Sequence, residues 1–534
     1  MTTVSIIIFV LLGAYIVLNF KYDIQMLQQN SYRIDRYWKW LKPNITSMWR
    51  LFDVMLLFLL FSTLLSPLVS SVLVGVTAIV KSVMILKRKS KKPLVFTKRV
   101  WRIYSVACVL ALALYGLFIW FSISGIDKDW WYTESCIAIP VGLGLMIAIF
   151  SWAFAILAVV LLAPVEKLIN KRFRDDAVAK LRSMPELKVI GITGSFGKTS
   201  TKHYLHQILS EEFDVLMTPG SFNTPMGVIR TIREYLRPNH RIFICEMGAK
   251  QKGDVKEICD IVNPYYGIIT AVGPMHLESF KTMENVQSTK FELADALPSD
   301  GLVIINNDFE YCASRKVSNT NTERYSVVPR EDSDYHAENI AYSHNGSSFT
   351  IKGCDGYSID LQTPLLGECN ISNLIAAVIM AKKLGIPDDK IKYAVSRIEQ
   401  VEHRLSVKRS PVGITIIDDA FNSNPQGSRM AVDVLSAFDC GKRIIVTPGM
   451  IELGADQYKY NRGLGEYIAG KVDLAIIVGE YNKAALADGL AAGSMPQDKI
   501  IFAETFNKAQ ETLASILKPG DVILYENDLP DTFK

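Results

Sequence analysis

The segment of this sequence best suited to chemistry is a glycine-rich loop that ends in a lysine and two hydroxyl residues. Residues 191–200 read Gly-Ile-Thr-Gly-Ser-Phe-Gly-Lys-Thr-Ser and overlap a β-branched run at 188–192. In such a loop the glycines let backbone N–H groups point at phosphate oxygens, the lysine faces the β- and γ-phosphates, and a hydroxyl reaches Mg²⁺. The helix expected from about Thr199 adds its positive dipole end. The candidate nucleotide-binding residues are Gly194, Gly197, Lys198, Thr199 and Ser200.

Two further apolar runs place ionisable side chains just after predicted strands. The run 242–245 is followed by Glu246, and the run 267–272 is followed by Gly-Pro-Met and then His276. Ligands of open α/β sheets bind at the carboxyl edge of the strands. Either residue alone would be more typical of a capping or satisfied polar side chain. Their order after the glycine loop makes Glu246 and His276 candidate Mg²⁺ ligands.

The elements that must position these residues divide into an apolar first third and a charged remainder. The 534 residues suggest three or four structural units. The balance of 58 Lys+Arg against 54 Asp+Glu, a net charge of +4, excludes an acidic disordered chain and gives no support for a nucleic-acid partner. The mean hydropathy of +0.18 is high for a soluble protein, because apolar runs concentrate before residue 165. The eight cysteines form no CxxC pair, so neither a disulfide framework nor a zinc site is indicated.

Four apolar stretches predict an α-helical transmembrane bundle over residues 1–165. They are residues 4–20, 51–86, 105–124 and 137–164. As one helix the second stretch would be about 54 Å long, well beyond a hydrocarbon core of about 30 Å. Two spans that meet at Ser66-Pro67 fit better, which gives five spans, or four if this stretch crosses once. The first stretch lacks a cleavage site and is interpreted as a retained anchor.

Charge predicts the orientation of the bundle. Residues 87–102 and 166–182 are rich in Lys and Arg and are expected in the cytoplasm, whereas the acidic, aromatic segment 125–136 is expected outside. Residues 21–50 carry six Lys/Arg and should also lie inside, which favours five spans. Their tryptophans and tyrosines either anchor the bundle at the interface or line a substrate site. Residues 166–187 are predicted to form a basic juxtamembrane linker.

From residue 187 onward, short β-branched runs alternate with amphipathic stretches, which predicts an α/β fold. A series of motifs in this part resembles the Mur ligase family. Besides the glycine loop, they are SFNTPMGV at 221–228, EMG at 246–248, GPMHLESF at 273–280, TKFELADAL at 289–297, LLGECNISNLIAA at 365–377, HRL at 403–405, IIDDAFNSNP at 416–425 and TPGMIELG at 447–454. The resemblance implies a P-loop Mur ligase central ATP-binding domain at 188–402 and a Rossmann-like α/β C-terminal domain at 403–534. The membrane bundle stands where the family has a small UDP-binding domain.

The resemblance also implies roles for individual residues. Lys198 and Thr199 are expected to hold ATP and Mg²⁺, with Glu246 and His276 serving the metal. Lys290 stands where many members carry a carbamylated lysine, which adds an anion to the metal site; the alternative is an ordinary lysine on a helix surface. Further nucleotide contacts are expected from Asn373, Arg404 and Asp419. Substrate contacts are expected from Asn223, Thr224, Asn422 and Asn424.

Two positions and the C-terminal ending depart from the family pattern. Cys369 replaces the usual histidine of a G-x-H-N motif, and Asn461 stands where relatives often have histidine. The chain ends in GDVILYENDLPDTFK at 520–534 instead of a glycine-rich basic ending. The last departure predicts a different specificity on the amine side.

The function implied is an ATP-dependent carboxylate–amine ligase with ATP and Mg²⁺ as cofactors. An acceptor carboxylate would attack the γ-phosphate to give an acyl phosphate, and an amino acid or small amine would displace phosphate to form an amide. The bundle indicates a multi-pass protein of the bacterial cytoplasmic membrane, with its catalytic domains in the cytoplasm. It further indicates a membrane-borne, lipid-linked glycan acceptor in peptidoglycan or capsule synthesis. The alternatives are a bundle that docks an envelope-biosynthesis partner, a processive ligase making an anionic amino-acid polymer, and a P-loop ATPase coupled to transport.

Overall fold

The computed structural model describes residues 3–45, 67–87, 92–124, 130–343, 346–421, 423–438 and 441–529. These form two compact units, one reaching Ile169 and the other covering Asn170–Leu529. The first unit is entirely helical in its described part. Its helices are α1 (Thr3–Gln29), α2 (Ile34–Asn44), α3 (Pro67–Lys87), α4 (Lys98–Ser124), α5 (Trp130–Ile149) and α6, which begins at Ser151 and ends at Arg182.

Three of these helices are long and apolar enough to cross a membrane, by length and composition. They are Ile6–Gln29, Lys98–Ser122 and Ser151–Arg182, and Ile139–Ile149 is a shorter apolar helix. Residues 51–66 of the second predicted stretch lie outside the described residues, as do residues 125–129 of the predicted outer loop. Helix α3 begins at Pro67, where the fixed φ of proline suits the first turn of a helix. The number of spans and their orientation stay predictions.

The helices of the bundle differ from the predicted segments in two places. Residues 137–164 do not form one continuous helix, because α5 ends at Ile149 and α6 begins at Ser151. A single helix over that stretch would be about 42 Å long, and the break divides it near Phe150. The predicted linker 166–187 is not a separate connector either, since α6 continues through it to Arg182. Its Lys, Arg, Leu and Ala residues favour helix, and Pro164 does not end it.

The bundle also contains a buried polar cluster that the sequence pattern did not reveal. Asp23 is 2% exposed and accepts hydrogen bonds from the hydroxyl of Tyr37 at 2.8 Å and from Ser151 at 2.5 Å. Asn19 donates to the backbone carbonyl of Ala148 at 2.7 Å. These contacts tie α1 to α2 and to the junction of α5 and α6, because a buried polar group is costly unless it is hydrogen-bonded.

The second unit begins with a nine-stranded sheet in the order β2-β3-β1-β4-β5-β6-β7-β8-β9. Strands β1 to β7 pair in parallel, and β7, β8 and β9 pair antiparallel. The strands are β1 (Lys188–Thr193), β2 (Val215–Met217), β3 (Ile242–Glu246), β4 (Tyr266–Ile269), β5 (Leu302–Asn306), β6 (Asn321–Ser326), β7 (Tyr335–Ser343), β8 (Gly346–Gly353) and β9 (Ser358–Thr363). Strand β4 is shorter than the predicted run 267–272.

Helices cover both faces of this sheet, as nearly continuous apolar strands require. They are α7 (Lys198–Leu209), α8 (Pro225–Tyr235), α9 (Asp254–Val262), α10 (Leu277–Phe280), α11 (Met283–Asp295), α12 (Glu310–Ala313), α13 (Glu368–Lys383) and α14 (Asp388–Ser396). Helix α13 packs against α7 and is buried over most of its length. This packing fixes the helix that follows the glycine loop.

The C-terminal part has a six-stranded sheet in the order β10-β11-β15-β12-β13-β14, parallel except for the β10–β11 pair. Its strands are β10 (Ser406–Arg409), β11 (Thr415–Asp419), β12 (Arg443–Thr447), β13 (Leu474–Val478), β14 (Ile500–Ala503) and β15 (Val522–Glu526). Its helices are α15 (Pro425–Ser436), α16 (Gln457–Ala469), α17 (Lys483–Ala492) and α18 (Phe506–Ile516). The α/β architecture predicted from residue 187 onward is confirmed.

Candidate active site

The glycine loop lies between β1 and α7, at the carboxyl edge of the central sheet. Gly197 has a φ of 82°, and a Cβ there would lie 2.4 Å from Oδ1 of Asn373. A Cβ at Gly194 would lie 2.2 Å from Oγ1 of Thr270. Both positions therefore need glycine, for the backbone conformation or for the close approach of neighbouring side chains.

Lys198 is the first residue of α7, and its ammonium lies within the loop. Its Nζ donates to the carbonyls of Gly194 at 2.7 Å and Ser195 at 3.1 Å. Burial lowers the pKa of Lys198 to about 8, Glu246 opposes this shift, and Arg404 adds to it. The lysine thus sits where a phosphate bound to the loop would meet it.

Glu246 ends β3 beside the loop and is held by three side chains. Its Oε1 accepts hydrogen bonds from Thr199 at 3.2 Å and Asn223 at 2.9 Å. Its Oε2 lies 3.1 Å from Nζ of Lys202, and the two side chains are 1% and 0% exposed. Burial would raise the pKa of Glu246, but Lys202 and Lys198 outweigh it and lower the pKa. Lys202, one helical turn after Lys198, was not among the residues the sequence singled out.

The oxygen atoms of Thr199 and Glu246 fit a magnesium ion. Both are hard donors, and the hydroxyl of Thr199 lies 3.2 Å from Oε1 of Glu246, so one cation can meet both. Mg²⁺ usually binds one or two protein oxygens and completes its shell with phosphates and water. The described residues contain no group of three or more His, Cys, Asp or Glu that could hold a metal ion.

His276 contacts the C-terminal domain, and its role as a metal ligand stays a prediction. Its Nδ1 is hydrogen-bonded to Oε2 of Glu452, whose other oxygen lies 3.2 Å from Nζ of Lys250. The backbone N–H of Glu278 also donates to the carbonyl of Glu452 at 3.2 Å. Burial would raise the pKa of Glu452, but His276 and Lys250 lower it to about 2. Sequence reasoning missed Glu452, because only the tertiary fold brings residues so distant in sequence together.

Lys290 lies on α11 but not on its exposed surface. It is 3% exposed, and its Nζ lies 5.9 Å from the ring centre of Phe280. Burial, and next the charge of Lys198, lower the pKa of Lys290 to about 7. The alternative of an ordinary surface lysine is therefore wrong.

A cavity of about 330 Å³ lies between the central and C-terminal sheets. Its wall contains predicted nucleotide residues from both sides, namely Gly197, Ser200, Asn373, Arg404 and Asp419. The guanidinium of Arg404 stacks 4.4 Å from the ring centre of Phe421 and makes no hydrogen bond or ion pair to the described residues. A half-buried cation with free donors on a cavity wall favours an anionic or hydroxyl-rich ligand. The wall also includes Asp308 and Cys369, of which only Cys369 was singled out in the sequence.

Two of the predicted substrate residues cap helices in this fold. Thr224 accepts a hydrogen bond from the N–H of Gly227 at 3.3 Å and caps α8, and Asn424 likewise accepts from Gly427 at 2.9 Å and caps α15. Asn424 still lines the cavity. Asn422 lies outside the described residues.

Asn461, one of the departures from the family pattern, lies in the core and not on the cavity wall. It is fully buried on α16 and accepts a hydrogen bond from the backbone N–H of Met450 at 2.8 Å. Its amide also donates to the carbonyl of Met450 at 3.1 Å. The side chain therefore holds the loop that follows β12.

Comparison with known proteins supports the same assignment. The chain matches the family models for the Mur ligase middle domain over residues 192–381 and for the Mur ligase glutamate ligase domain over residues 403–525. The UDP-N-acetylmuramoyl-tripeptide–D-alanyl-D-alanine ligase of Bacillus subtilis is 28% identical over 366 residues, which are 66% of this chain and 77% of the relative. That of Haemophilus influenzae is 30% identical over 325 residues, covering 60% and 69%.

Solved structures agree with these relatives. MurF from Acinetobacter baumannii has a TM-score of 0.62 at 25% identity, covering 68% of this chain and 78% of that one. MurF ligase from Thermotoga maritima in complex with ADP has a TM-score of 0.59 at 25% identity, covering 67% and 80%. The resemblance inferred from the motifs is confirmed: this chain belongs to the Mur ligase family of ATP-dependent amide-bond ligases, which act in cell-wall synthesis.

Proposed function

We propose that this ligase joins an amino acid or another small amine to a carboxylate of a membrane-borne cell-envelope glycan or its precursor. The observation that carries the proposal is the presence, in one chain, of a Mur ligase core and three helices long and apolar enough to cross a membrane. The similar enzymes are named for a UDP-linked acceptor. In this chain we assign acceptor recognition to the membrane side.

The proposed reaction begins when the acceptor carboxylate attacks the γ-phosphate of ATP, forming an acyl phosphate and releasing ADP. The amine then attacks the acyl carbon, and phosphate leaves with the bonding electrons while the amine loses a proton. Mg²⁺, when bound, neutralises charge on the phosphates. The protein positions the reactants: Lys198 exchanges its bonds to Gly194 and Ser195 for phosphate oxygens. Thr199 and Glu246 offer oxygens to the metal.

Lys290 is proposed to act as a carbamate. Only a neutral amine attacks CO₂, and a pKa of about 7 leaves a large neutral fraction at physiological pH. The product would be an anion beside Lys198, whose charge now disfavours a protonated Lys290. His276 and Glu452 are proposed to join the central and C-terminal domains across the closed site.

The basic end of α6 supports a position close to the bilayer. Its last turns carry Lys167, Lys171, Arg172, Arg174, Lys180 and Arg182. Such residues near an anionic leaflet contribute about 1 kcal/mol each, so the catalytic domains are proposed to stay at the cytoplasmic surface.

The proposal is tested by measuring phosphate release from ATP by the full-length protein in the presence of a membrane lipid extract, with and without amino acids. A ligase releases phosphate only when both acceptor and amine are present, and Lys198→Ala serves as the inactive control. Phosphate release at the same rate with and without the amine would instead support an ATPase coupled to transport. A long homopolymeric product would support the processive ligase.

A further inference from the structure

Two acidic residues meet at the carboxyl ends of neighbouring strands beside the cavity. Strands β11 and β15 pair in parallel, and their register places Asp419 opposite Glu526. Glu526 is 0% exposed, whereas Asp419 is half-buried and lines the cavity. Glu526 lies in the C-terminal segment 520–534, which departs from the basic ending of the family pattern. The sequence pattern alone assigns no role to Glu526.

Only one of the two carboxyl oxygens of Glu526 accepts hydrogen bonds from the described residues. Its Oε1 accepts from the hydroxyls of Ser423 at 2.5 Å and Ser428 at 2.6 Å. Its Oε2 is buried and receives no hydrogen bond from a described donor. The strand register places its carboxyl beside that of Asp419 at the same edge of the sheet, and the charge of Asp419 acts on it. Because two ionised carboxylates repel each other in a buried site, the pair favours holding one proton.

The surrounding charges place that proton on Glu526. Asp419 accepts the backbone N–H of Leu405 at 3.1 Å and faces Arg404, both of which favour its anion. Burial and the charge of Asp419 raise the pKa of Glu526 well above its ordinary value, against the two serine hydroxyls. Burial also raises the pKa of Asp419, but Arg404 and the N–H of Leu405 oppose that shift.

The nearest further charges are already paired with each other. Asp418 also acts on Asp419, but its own carboxylate lies 2.9 Å from Nδ1 of His403 and 3.8 Å from Nζ of Lys408. Arg404 is the cation whose charge acts most strongly on Asp419 among the described residues.

We propose that protonated Glu526 is a positioning residue, which donates a hydrogen bond to Asp419 and so holds the Asp419 carboxylate toward a nucleotide in the cavity. This inference rests on the proposed nucleotide role of Asp419 and Arg404. Loss of the proton adds a second anion next to Asp419 at the cavity, which repels the phosphates of a bound nucleotide. Nucleotide affinity therefore falls as Glu526 ionises.

The test measures binding of a fluorescent ATP analogue to the full-length protein between pH 6.5 and pH 9.5. Glu526→Gln keeps a donor toward Asp419 and an acceptor for the serines but cannot ionise. Lys198 titrates in the same range, yet it does so equally in both proteins, so the ratio of their dissociation constants isolates Glu526. That ratio, wild type over Glu526→Gln, should be about 1 at the acid end of this range and should rise by up to about tenfold per pH unit once Glu526 ionises, as expected for the loss of one proton. A ratio that stays constant overturns the inference.

Two further measurements separate this inference from the proposed function. The infrared spectrum of the wild type at pH 7 should contain a protonated-carboxyl band that disappears at high pH and is absent from Glu526→Gln. Lack of that band overturns the shared proton whether or not nucleotide binds. Lack of nucleotide binding by the wild type at every pH overturns the proposed function and the positioning role with it, while the band still reports the acid pair. Glu526→Ala, provided that it melts like the wild type, should bind the analogue at least tenfold more weakly, and equal binding overturns the inference.

Discussion

The ion pair between Lys202 and Glu246 is buried beside the phosphate loop, and its removal should destabilise the central domain. Lys202→Met conserves most of the side-chain volume but leaves the carboxylate of Glu246 buried without its partner at 3.1 Å. It also removes the donor to the carbonyl of Gly220, 2.6 Å away. Breaking one half of a buried pair costs roughly 3–5 kcal/mol. Since 1 kcal/mol shifts the melting temperature of such a domain by about 2–4 °C, we expect a decrease of about 6 °C or more.

Thermal melting of the full-length protein, followed by intrinsic fluorescence, measures this effect. The matched control is Lys256→Met, which removes an exposed pair with Asp260 at 2.7 Å and should lower the melting temperature by no more than about 2 °C. The double variant Lys202→Met/Glu246→Gln removes both charges and should be more stable than Lys202→Met alone. If Lys202→Met melts at the same temperature as Lys256→Met, or if the double variant melts no higher than Lys202→Met, the ion pair does not stabilise the domain.

Three further outcomes are expected. Lys198→Ala should abolish ATP turnover while leaving the melting temperature close to that of the wild type, and turnover near the wild-type rate would contradict the nucleotide assignment. Lys290→Ala should lose ligation and regain part of it with added short carboxylates, which replace the carbamate; full ligation by the unsupplemented variant would show that no carbamate is needed. Cysteines placed at Ser31 and Asp127 should be labelled by an impermeant thiol reagent from the cytoplasmic and the outer side, respectively. Labelling of position 31 only from outside would require four spans.

Local sequence patterns were sufficient for the parts of the site that follow one strand into one helix. The β-branched run before residue 194 and the glycines after it predict β1, the loop and α7, because each step depends on neighbouring residues alone. The run that ends at Glu246 likewise places this carboxylate at the sheet edge. The capping roles of Thr224 and Asn424 were also readable, since each precedes a proline that can occupy the first helical position.

The rest of the site depends on contacts between residues far apart in sequence. Glu452 reaches His276 from the other domain, and Glu526 meets Asp419 only because β15 lies beside β11. Neither acid stands in a pattern that distinguishes it from a surface carboxylate. In the bundle, the buried contact of Ser151 with Asp23 lies at the break between α5 and α6, whereas a hydropathy pattern reports only one apolar stretch.

Partitioning of a labelled product between an organic and an aqueous phase shows whether the acceptor is membrane-borne. Full-length protein is incubated with ATP, Mg²⁺, radiolabelled amino acids and a membrane lipid extract, beside a shortened chain that starts at Asn170. The cut is placed there because Ala177 packs in the core of the second unit. We predict that the full chain transfers label through an amide bond to material that partitions into the organic phase, and that the shortened chain binds ATP but does not. A parallel reaction replaces the lipid extract with a water-soluble nucleotide-sugar acceptor, and equal transfer to it by both proteins would contradict the membrane-borne acceptor.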